Sequence, residues 1–274
     1  MKRVLVFDSG VGGLSVLDAI VAAGLEVGLD YVADNAWLPY GLKSDSEIAS
    51  RVPALIARVA AQWAPDAIVL ACNTASTIAL EGARAALSIP VVGVVPPIKP
   101  AAAASRTGMI GLLATPATIA RAYTDALIRD FAPAMRVMRF GSAGLVRAAE
   151  AKLRGETPDA AAIQEAIAGL FGAPGGENID VVALACTHFP LLRDELAAAA
   201  PRACLWLDSG EAIARRLAHV LQLSPGAARA RRAGFTDPRV EPLLPAFAAR
   251  GFEAFAHFAA PGFEATPLTA SAYG

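Results

Sequence analysis

Two short segments of this chain carry a thiol in matching surroundings. Ala67-Ile68-Val69-Leu70-Ala71-Cys72-Asn73-Thr74 and Val181-Val182-Ala183-Leu184-Ala185-Cys186-Thr187-His188 are both apolar runs that end in Ala-Cys and turn polar. In each, the cysteine stands where a buried strand should end and a helix begin. A helix N-terminus stabilises a thiolate and can draw a cysteine pKa from about 8.5 into the range of about 3.5–7.5. Such a group can act as thiolate base in one step and thiol acid in the next. Two of them facing one ligand from opposite sides would invert a stereocentre, and their roles would swap with reaction direction. Asn73, Thr74 and Thr187 add donors and acceptors for a polar ligand. His188, beside Cys186, could set that thiol's protonation, or could be a capping or core histidine. Any one cysteine also reads as a small buried hydrophobe. That plainer reading is the one taken for Cys204, inside Ala203-Cys204-Leu205-Trp206-Leu207.

A third segment, Phe7-Asp8-Ser9-Gly10-Val11-Gly12-Gly13-Leu14-Ser15, follows an apolar run and opens a helix. A glycine-rich turn there exposes backbone N–H groups and the positive end of a helix dipole, which favours an anion. Gly10 and Gly12 fit G-x-G, but Ser15 stands at the final glycine position, so this is not a dinucleotide fingerprint. Asp8 and Ser9 fall at a strand's C-terminal end, where open α/β sheets place ligands. The plainer reading is a tight turn with Asp8 capping the helix.

The elements that must position these residues alternate. Strands are expected at 3–7, 29–32, 67–71, 91–95, 109–113, 135–139, 181–185 and 204–207, mostly as continuous apolar runs. Such runs suit parallel strands buried on both faces. Helices are expected at 13–23, 44–61, 75–87, 117–131, 143–152, 159–171, 190–199 and 210–221. The alternation predicts an α/β fold. The paired Ala-Cys segments form a faint internal repeat. A second echo pairs 4–9 with 109–116, and together they suggest two similar α/β halves. Three prolines in Val95-Pro96-Pro97-Ile98-Lys99-Pro100 make the best linker. From Ser224 onward the sequence reads as irregular.

Composition narrows the function classes. The 274 residues are 55% hydrophobic and 18% charged, which excludes a disordered chain. Lys+Arg 24 against Asp+Glu 25 leaves a formal charge of −1, so nucleic acid and anionic membranes find no basic footprint. No apolar run approaches the roughly 20 residues of a membrane span. The apolar run after Lys2 and Arg3 is too short for a signal peptide. A soluble, cytoplasmic protein is expected. Its 3 cysteines fit neither a disulfide framework nor zinc-ligand spacing, and no metal or nucleotide site is evident.

Taken in order, Asp8–Val16, Pro39-Tyr40-Gly41-Leu42-Lys43-Ser44, Ala71–Ser76 and Cys186-Thr187-His188-Phe189-Pro190-Leu191-Leu192 resemble glutamate racemases, of the aspartate/glutamate racemase superfamily. Gly93-Val94-Val95-Pro96 and Ala114-Thr115-Pro116 lie where related turns would fall, and the resemblance spans about residues 3 to 220. It implies two pseudo-symmetric α/β domains with mostly parallel sheets and the active site at their interface. The domains would be 1–95 plus 208–274, and 96–207. It implies cofactor-independent interconversion of L- and D-glutamate, serving peptidoglycan synthesis, with no metal. Cys72 corresponds to the base acting on D-glutamate and Cys186 to the base acting on L-glutamate. Asp8 and His188 correspond to their supporting groups. Ser9, Pro39, Tyr40, Gly41, Asn73, Thr74, Thr115 and Thr187 match substrate-binding positions. Asp34 and Glu150 match acidic positions that assist.

Phe140–Val146 lacks the Cys-Pro-Leu sort of run that such relatives carry before the acid matched to Glu150. The tail after about residue 222 has no counterpart. Trp37 adds an aromatic ring at the pocket rim or at a contact. The nearest rival is an aspartate, hydantoin or other amino-acid racemase. Aspartate racemases more often carry an acid after Cys-Thr, where this chain has His188. Arylmalonate decarboxylases keep one cysteine of the pair. A non-catalytic carboxylate- or phosphate-binding module at Gly10–Gly13 is the rival of another class. A thiol-redox protein is disfavoured, since Cys72 and Cys186 are not a C-x-x-C pair. A homodimer is the default for a soluble enzyme.

Overall fold

A computed structural model describes residues 1–260, 262 and 264–268. The chain divides into two compact units: Met1–Val94 with Leu153–Gly155 and the segment from Gly210 on, and Val95–Lys152 with Glu156–Ser209. The end of the expected first domain, 269–274, lies outside the described residues, as do Pro261 and Phe263.

The first unit begins β1 (Lys2–Asp8), α1 (Leu14–Ala22), β2 (Val27–Ala33), α2 (Asp45–Trp63), β3 (Ala67–Leu70), α3 (Asn73–Ala85), β4 (Val91–Gly93). β1 lies between β2 and β3, parallel to both. Its run Val4-Leu5-Val6-Phe7 excludes solvent entirely because both faces are covered. Val4, Val6, Leu29, Tyr31 and Val69 pack with Leu14 and Leu17 of α1. Leu5, Phe7, Val32 and Ile68 pack with Ile48, Val52 and Leu55 of α2. At about 1.5–3 kcal/mol for each large apolar side chain buried, this two-sided core fixes where the strands end. α2 starts at a capping box: Ser44 Oγ accepts the Glu47 N–H at 3.3 Å while Glu47 accepts the Ser44 N–H at 2.9 Å.

The second unit runs α4 (Ile98–Ala104), β5 (Met109–Ala114), α5 (Pro116–Ile119), α6 (Ala122–Phe131), β6 (Arg136–Gly141), α7 (Gly144–Leu153), α8 (Ala160–Phe171), β7 (Val181–Leu184), α9 (Arg193–Ala199), β8 (Leu205–Leu207). Leu153, the end of α7, groups with the first unit. The sheet is parallel throughout, in the order β6-β5-β7-β8. The first unit contains the same arrangement as β2-β1-β3-β4. In each, the order is second, first, third, fourth strand. β3 and β7 are therefore counterparts, as are β1 and β5, so the faint repeat in the sequence is a repeat of topology.

The chain then returns to the first unit with α10 (Gly210–Leu221), β9 (Arg229–Phe235), α11 (Leu244–Ala248), β10 (Ala254–Ala259) and β11 (Glu264–Pro267). This corrects the expectation of an irregular tail after Ser224. β9 and β10 extend the sheet in parallel beyond β2, and β11 closes its edge in antiparallel. β9 hides as Arg-Ala-Arg-Arg-Ala-Gly-Phe because its complement is distant. Arg232 binds both oxygens of Asp30, fully buried in β2, at 3.2 and 3.3 Å. Burial pushes the Asp30 carboxyl above its usual range, opposed by Arg232, Arg231 and Arg3. Phe247 stacks edge-on with Tyr31, Phe235 and Phe252 at 5.2, 5.1 and 5.5 Å.

Two further expectations change. The helix at 117–131 breaks at Arg121, whose backbone is extended, into α5 and α6. The proline linker is shorter than the run of prolines suggests: Pro97 is the N-cap of α4 and Pro100 lies in its first turn, where a missing N–H breaks no helical hydrogen bond. No helix of the described residues is long and apolar enough to cross a membrane.

Candidate active site

Three neighbouring strands of the first unit deliver chemistry to one sheet edge. Asp8 ends β1, Asp34 follows β2, and Cys72 stands just past β3. Backbone bonds from Asp34 N–H to Asp8 O (2.9 Å) and from Ala71 N–H to Phe7 O (2.8 Å) hold the three strand ends in register. Cys72 is the N-cap of α3 and only 7% exposed. The positive end of a thirteen-residue helix therefore lies at its thiol, where it favours negative charge. Asn73 and Thr74, the next residues, are buried. Asn73 Oδ1 is buried with no hydrogen-bond partner among the described residues. A buried acceptor without a donor is costly, and this atom can accept from a donor that enters the site.

The glycine turn is organised around Asp8. Asp8 Oδ1 accepts the Gly10 N–H at 2.9 Å, and the Tyr31 hydroxyl donates to Gly10 O at 2.8 Å. A Cβ on Gly13 would stand 2.9 Å from both Asp8 Cβ and the Tyr31 oxygen, so glycine is required there. The N-cap of α1 is Gly13 with no side-chain cap, so Asp8 does not cap the helix. Asp8 itself is fully buried beside the turn. Ser9, next to Asp8, is also buried.

A short segment after β2 holds the Pro39-Tyr40-Gly41 motif. The Tyr40 hydroxyl donates to Asp34 Oδ2 at 2.6 Å. Arg51 of α2 binds the same carboxylate bidentately, at 2.7 and 2.8 Å, and Thr236 Oγ1 donates to its Oδ1 at 2.7 Å. Asp34 is thus surrounded by donors, and the carboxylate ties Tyr40, Arg51 and Thr236 together. Burial, the Asp34 charge and the Asp34 hydrogen bond all hold the Tyr40 phenol well above its usual pKa, so it stays neutral. Tyr40 and Cys72 belong to one buried cluster. Pro39 is exposed, Gly41 half-buried, and the Leu38–Pro39 peptide is cis. Trp37 packs against the Arg51 guanidinium at 4.3 Å and the Lys43 ammonium at 5.2 Å, so its ring is engaged within the chain.

The second unit repeats the plan with different support. Cys186 lies two residues past β7 and is 7% exposed. Ala185 N–H donates to Leu113 O at 2.8 Å, tying this strand end to β5. Here a 3₁₀ turn, Phe189–Leu192, precedes α9, and a histidine takes over the role of charge partner. His188 Nδ1 faces Cys186 Sγ at 3.8 Å, and its Nε2 meets Glu150 Oε1 of α7 at 2.8 Å. Burial disfavours charge on His188, but hydrogen bonds to Cys186 and Glu150 and their negative charges outweigh it. The imidazole is held well above its usual pKa and carries a proton at neutral pH. Thr187 is buried beside it. Thr115, at the end of β5, caps α5: its Oγ1 accepts the Thr118 N–H at 3.3 Å and pairs with the Thr118 hydroxyl at 2.9 Å.

Each unit therefore holds one thiol at the C-terminal end of its third strand: Cys72 shares a buried cluster with Tyr40, and Cys186 faces His188. The chain matches the family described as Asp/Glu/Hydantoin racemase over residues 10–217. The chain belongs to that racemase family. Among its members, a glutamate racemase of Sphingopyxis alaskensis is 51% identical over 252 residues, covering 90% of this chain and 94% of the relative. A glutamate racemase of Vibrio vulnificus is 49% identical, covering 81% and 83%. The crystal structure of Escherichia coli glutamate racemase, in complex with L-glutamate and the activator UDP-MurNAc-ala, superposes with a TM-score of 0.87 at 40% identity. It covers 98% of this chain and 99% of that one. This racemase thus shares its fold with that structure across nearly its whole length.

The first unit gathers Asp8, Ser9, Asp34, Pro39, Tyr40, Gly41, Cys72, Asn73 and Thr74, and the second Thr115, Glu150, Cys186, Thr187 and His188. Arg51 and Thr236 were not legible as site residues. Arg51 reads as an ordinary position on α2, and Thr236 follows a strand that the sequence conceals. Cys204 is remote from this chemistry: burial pushes its thiol to about 11, which keeps it protonated and unreactive. Among the described residues no group of three or more His, Cys, Asp or Glu could hold a metal ion.

Proposed function

We propose that this racemase interconverts L- and D-glutamate by two thiols and no cofactor. Cys72 removes the Cα proton of D-glutamate as a thiolate, and Cys186 delivers a proton to the opposite face as a thiol. In the other direction Cys186 is the base and Cys72 the acid. One proton leaves and one arrives, so the reaction balances with nothing but the two sulfurs exchanging roles. His188 supplies a cation beside Cys186 while that sulfur is negative, and Glu150 keeps His188 charged. Asp8 serves the Cys72 side. Asn73 Oδ1 accepts from the substrate ammonium. Ser9, Pro39, Tyr40, Gly41, Thr74, Thr115 and Thr187 complete the binding set, and Thr115 combines this with its capping role.

The observation that carries this reading is the equivalent placement of Cys72 and Cys186 after β3 and β7, each with its own ionisable neighbour. The relatives named above, described as glutamate racemases, support glutamate over aspartate. The product would serve peptidoglycan synthesis in the cytoplasm, and a homodimer is the simplest assembly. Circular dichroism of L-glutamate incubated with the purified chain tests the activity. The signal decays to zero if the reading is right. A decay with L-aspartate alone would move the substrate to aspartate, and full turnover by both Cys72→Ala and Cys186→Ala would overturn the two-thiol mechanism.

A further inference from the structure

The two thiols have unlike support. Cys186 faces an imidazole–carboxylate pair. Around Cys72 stands a different construction, made wholly within the first unit. Arg51 grips Asp34 with both arms of its fork, at 2.7 and 2.8 Å, and Asp34 Oδ2 accepts a hydrogen bond from the Tyr40 hydroxyl at 2.6 Å. The Arg51 side chain is 14% exposed and Asp34 fully buried, so the pair is held in one geometry. Trp37 covers the guanidinium face at 4.3 Å. Tyr40 is buried in the cluster that contains Cys72, and Tyr40 opens the 3₁₀ turn Tyr40–Leu42.

We propose that Arg51 is a positioning residue for the Cys72 half of the reaction, acting through Asp34 on the Tyr40 hydroxyl. The inference rests on the glutamate reading above. With its proton committed to Asp34, the Tyr40 oxygen is left as an acceptor. It then meets a donor on the Cys72 side, either the thiol S–H or the substrate ammonium. Arg51 fixes that direction because a planar fork holds both carboxylate oxygens at once, which a lysine ammonium does not. Without the fork, a buried carboxylate loses its countercharge, takes up a proton or turns, and the Tyr40 proton is no longer directed. The Cys186 half has its own support and is unaffected.

The test separates the two halves. Racemisation obeys one overall equilibrium, so kcat/KM alone does not say which proton transfer slowed. Primary isotope effects do. In Arg51→Lys, kcat/KM should fall by about 10-fold, and in Arg51→Ala by about 100-fold. The isotope effect from D-[2-²H]glutamate should rise while that from L-[2-²H]glutamate falls, because only the Cys72 transfer has become limiting. Arg51→Lys added to Tyr40→Phe should cost nothing further, since both act through one hydroxyl. The control is Arg250→Lys, which breaks a fork of the same lengths, 2.7 and 2.8 Å, to the more exposed Asp18 on the same unit and should change neither isotope effect. If neither Arg51 variant folds, Asp34→Asn carries the same isotope test. Unchanged activity in Arg51→Lys, a loss with both isotope effects unmoved, or additivity with Tyr40→Phe would overturn the proposal. Failure of the unmutated chain to racemise glutamate would instead overturn the function it rests on.

Discussion

Replacing Glu150 with Gln keeps the shape of the Cys186 half-site and removes its charge. Glu150 meets His188 at 2.8 Å with side-chain exposures of 9% and 4%, so water does not screen the pair. A hydrogen bond to a charged partner contributes about 1.5–3 kcal/mol. At about 1.4 kcal/mol per decade, its loss slows proton transfer at Cys186 by about 10- to 150-fold. The pH dependence follows from the sign of the His188 shift. Its pKa is raised, so the protonated form persists through neutral pH and is lost only as pH rises through the raised value. Without Glu150, burial is less opposed and the charge is lost at lower pH. The alkaline fall in kcat/KM should therefore move toward neutrality in Glu150→Gln. Stability should follow the same rule in the unmutated chain: the His188 contribution is complete below about pH 6.5 and disappears as pH rises through the folded value. Kinetics by circular dichroism and urea melts across the same pH range give both readings. A Glu150→Gln variant with near-normal kcat/KM and an unshifted alkaline limb would refute the reasoning.

Cys72→Ala and Cys186→Ala should each lose about 10²- to 10⁴-fold in racemisation, read as D-glutamate formed from L-glutamate. Cys204→Ser should retain full activity. Its thiol, pushed up to about 11, should stay unmodified under mild iodoacetamide at neutral pH, as peptide mass spectrometry would show. Phe247→Ala, at the centre of the Tyr31–Phe235–Phe252 ring cluster, should cost about 3–5 kcal/mol. A melting temperature within a degree of the parent would show that the C-terminal segment does not secure the first unit.

β1, β3, β5 and β7 were legible because each is a short apolar run buried along nearly its whole length, a pattern the sequence itself shows, while β6 and β8, less buried, were placed by their position in the alternation. Cys72 and Cys186 were legible because a thiol at the end of such a run stands out against it. β9 was not. Its arginines satisfy Asp30, which lies 202 residues from Arg232, and neither residue announces the other along the chain. The same distance hides Thr236 from Asp34. Arg51 is only 17 residues from Asp34, but nothing in the α2 pattern marks it as that carboxylate's partner. Glu150 lacked its expected flanking motif, yet α7 brings its carboxylate to His188. Asp34 was named from the resemblance, but its partners were not. Its carboxylate accepts from three side chains, Tyr40, Arg51 and Thr236, a partnership that nothing along the sequence marks.

The central claim, two thiols transferring protons at one Cα, is tested most directly by proton NMR. The purified chain would be incubated with L-glutamate in D2O, with L-aspartate in parallel and no added cofactor. The Cα proton of L-glutamate should vanish as D-glutamate appears, with solvent deuterium at Cα of the D product from its first turnover, because the proton that arrives is not the one that left. Inert glutamate in folded, reduced protein, or D-glutamate that retains the original hydrogen, would contradict the account.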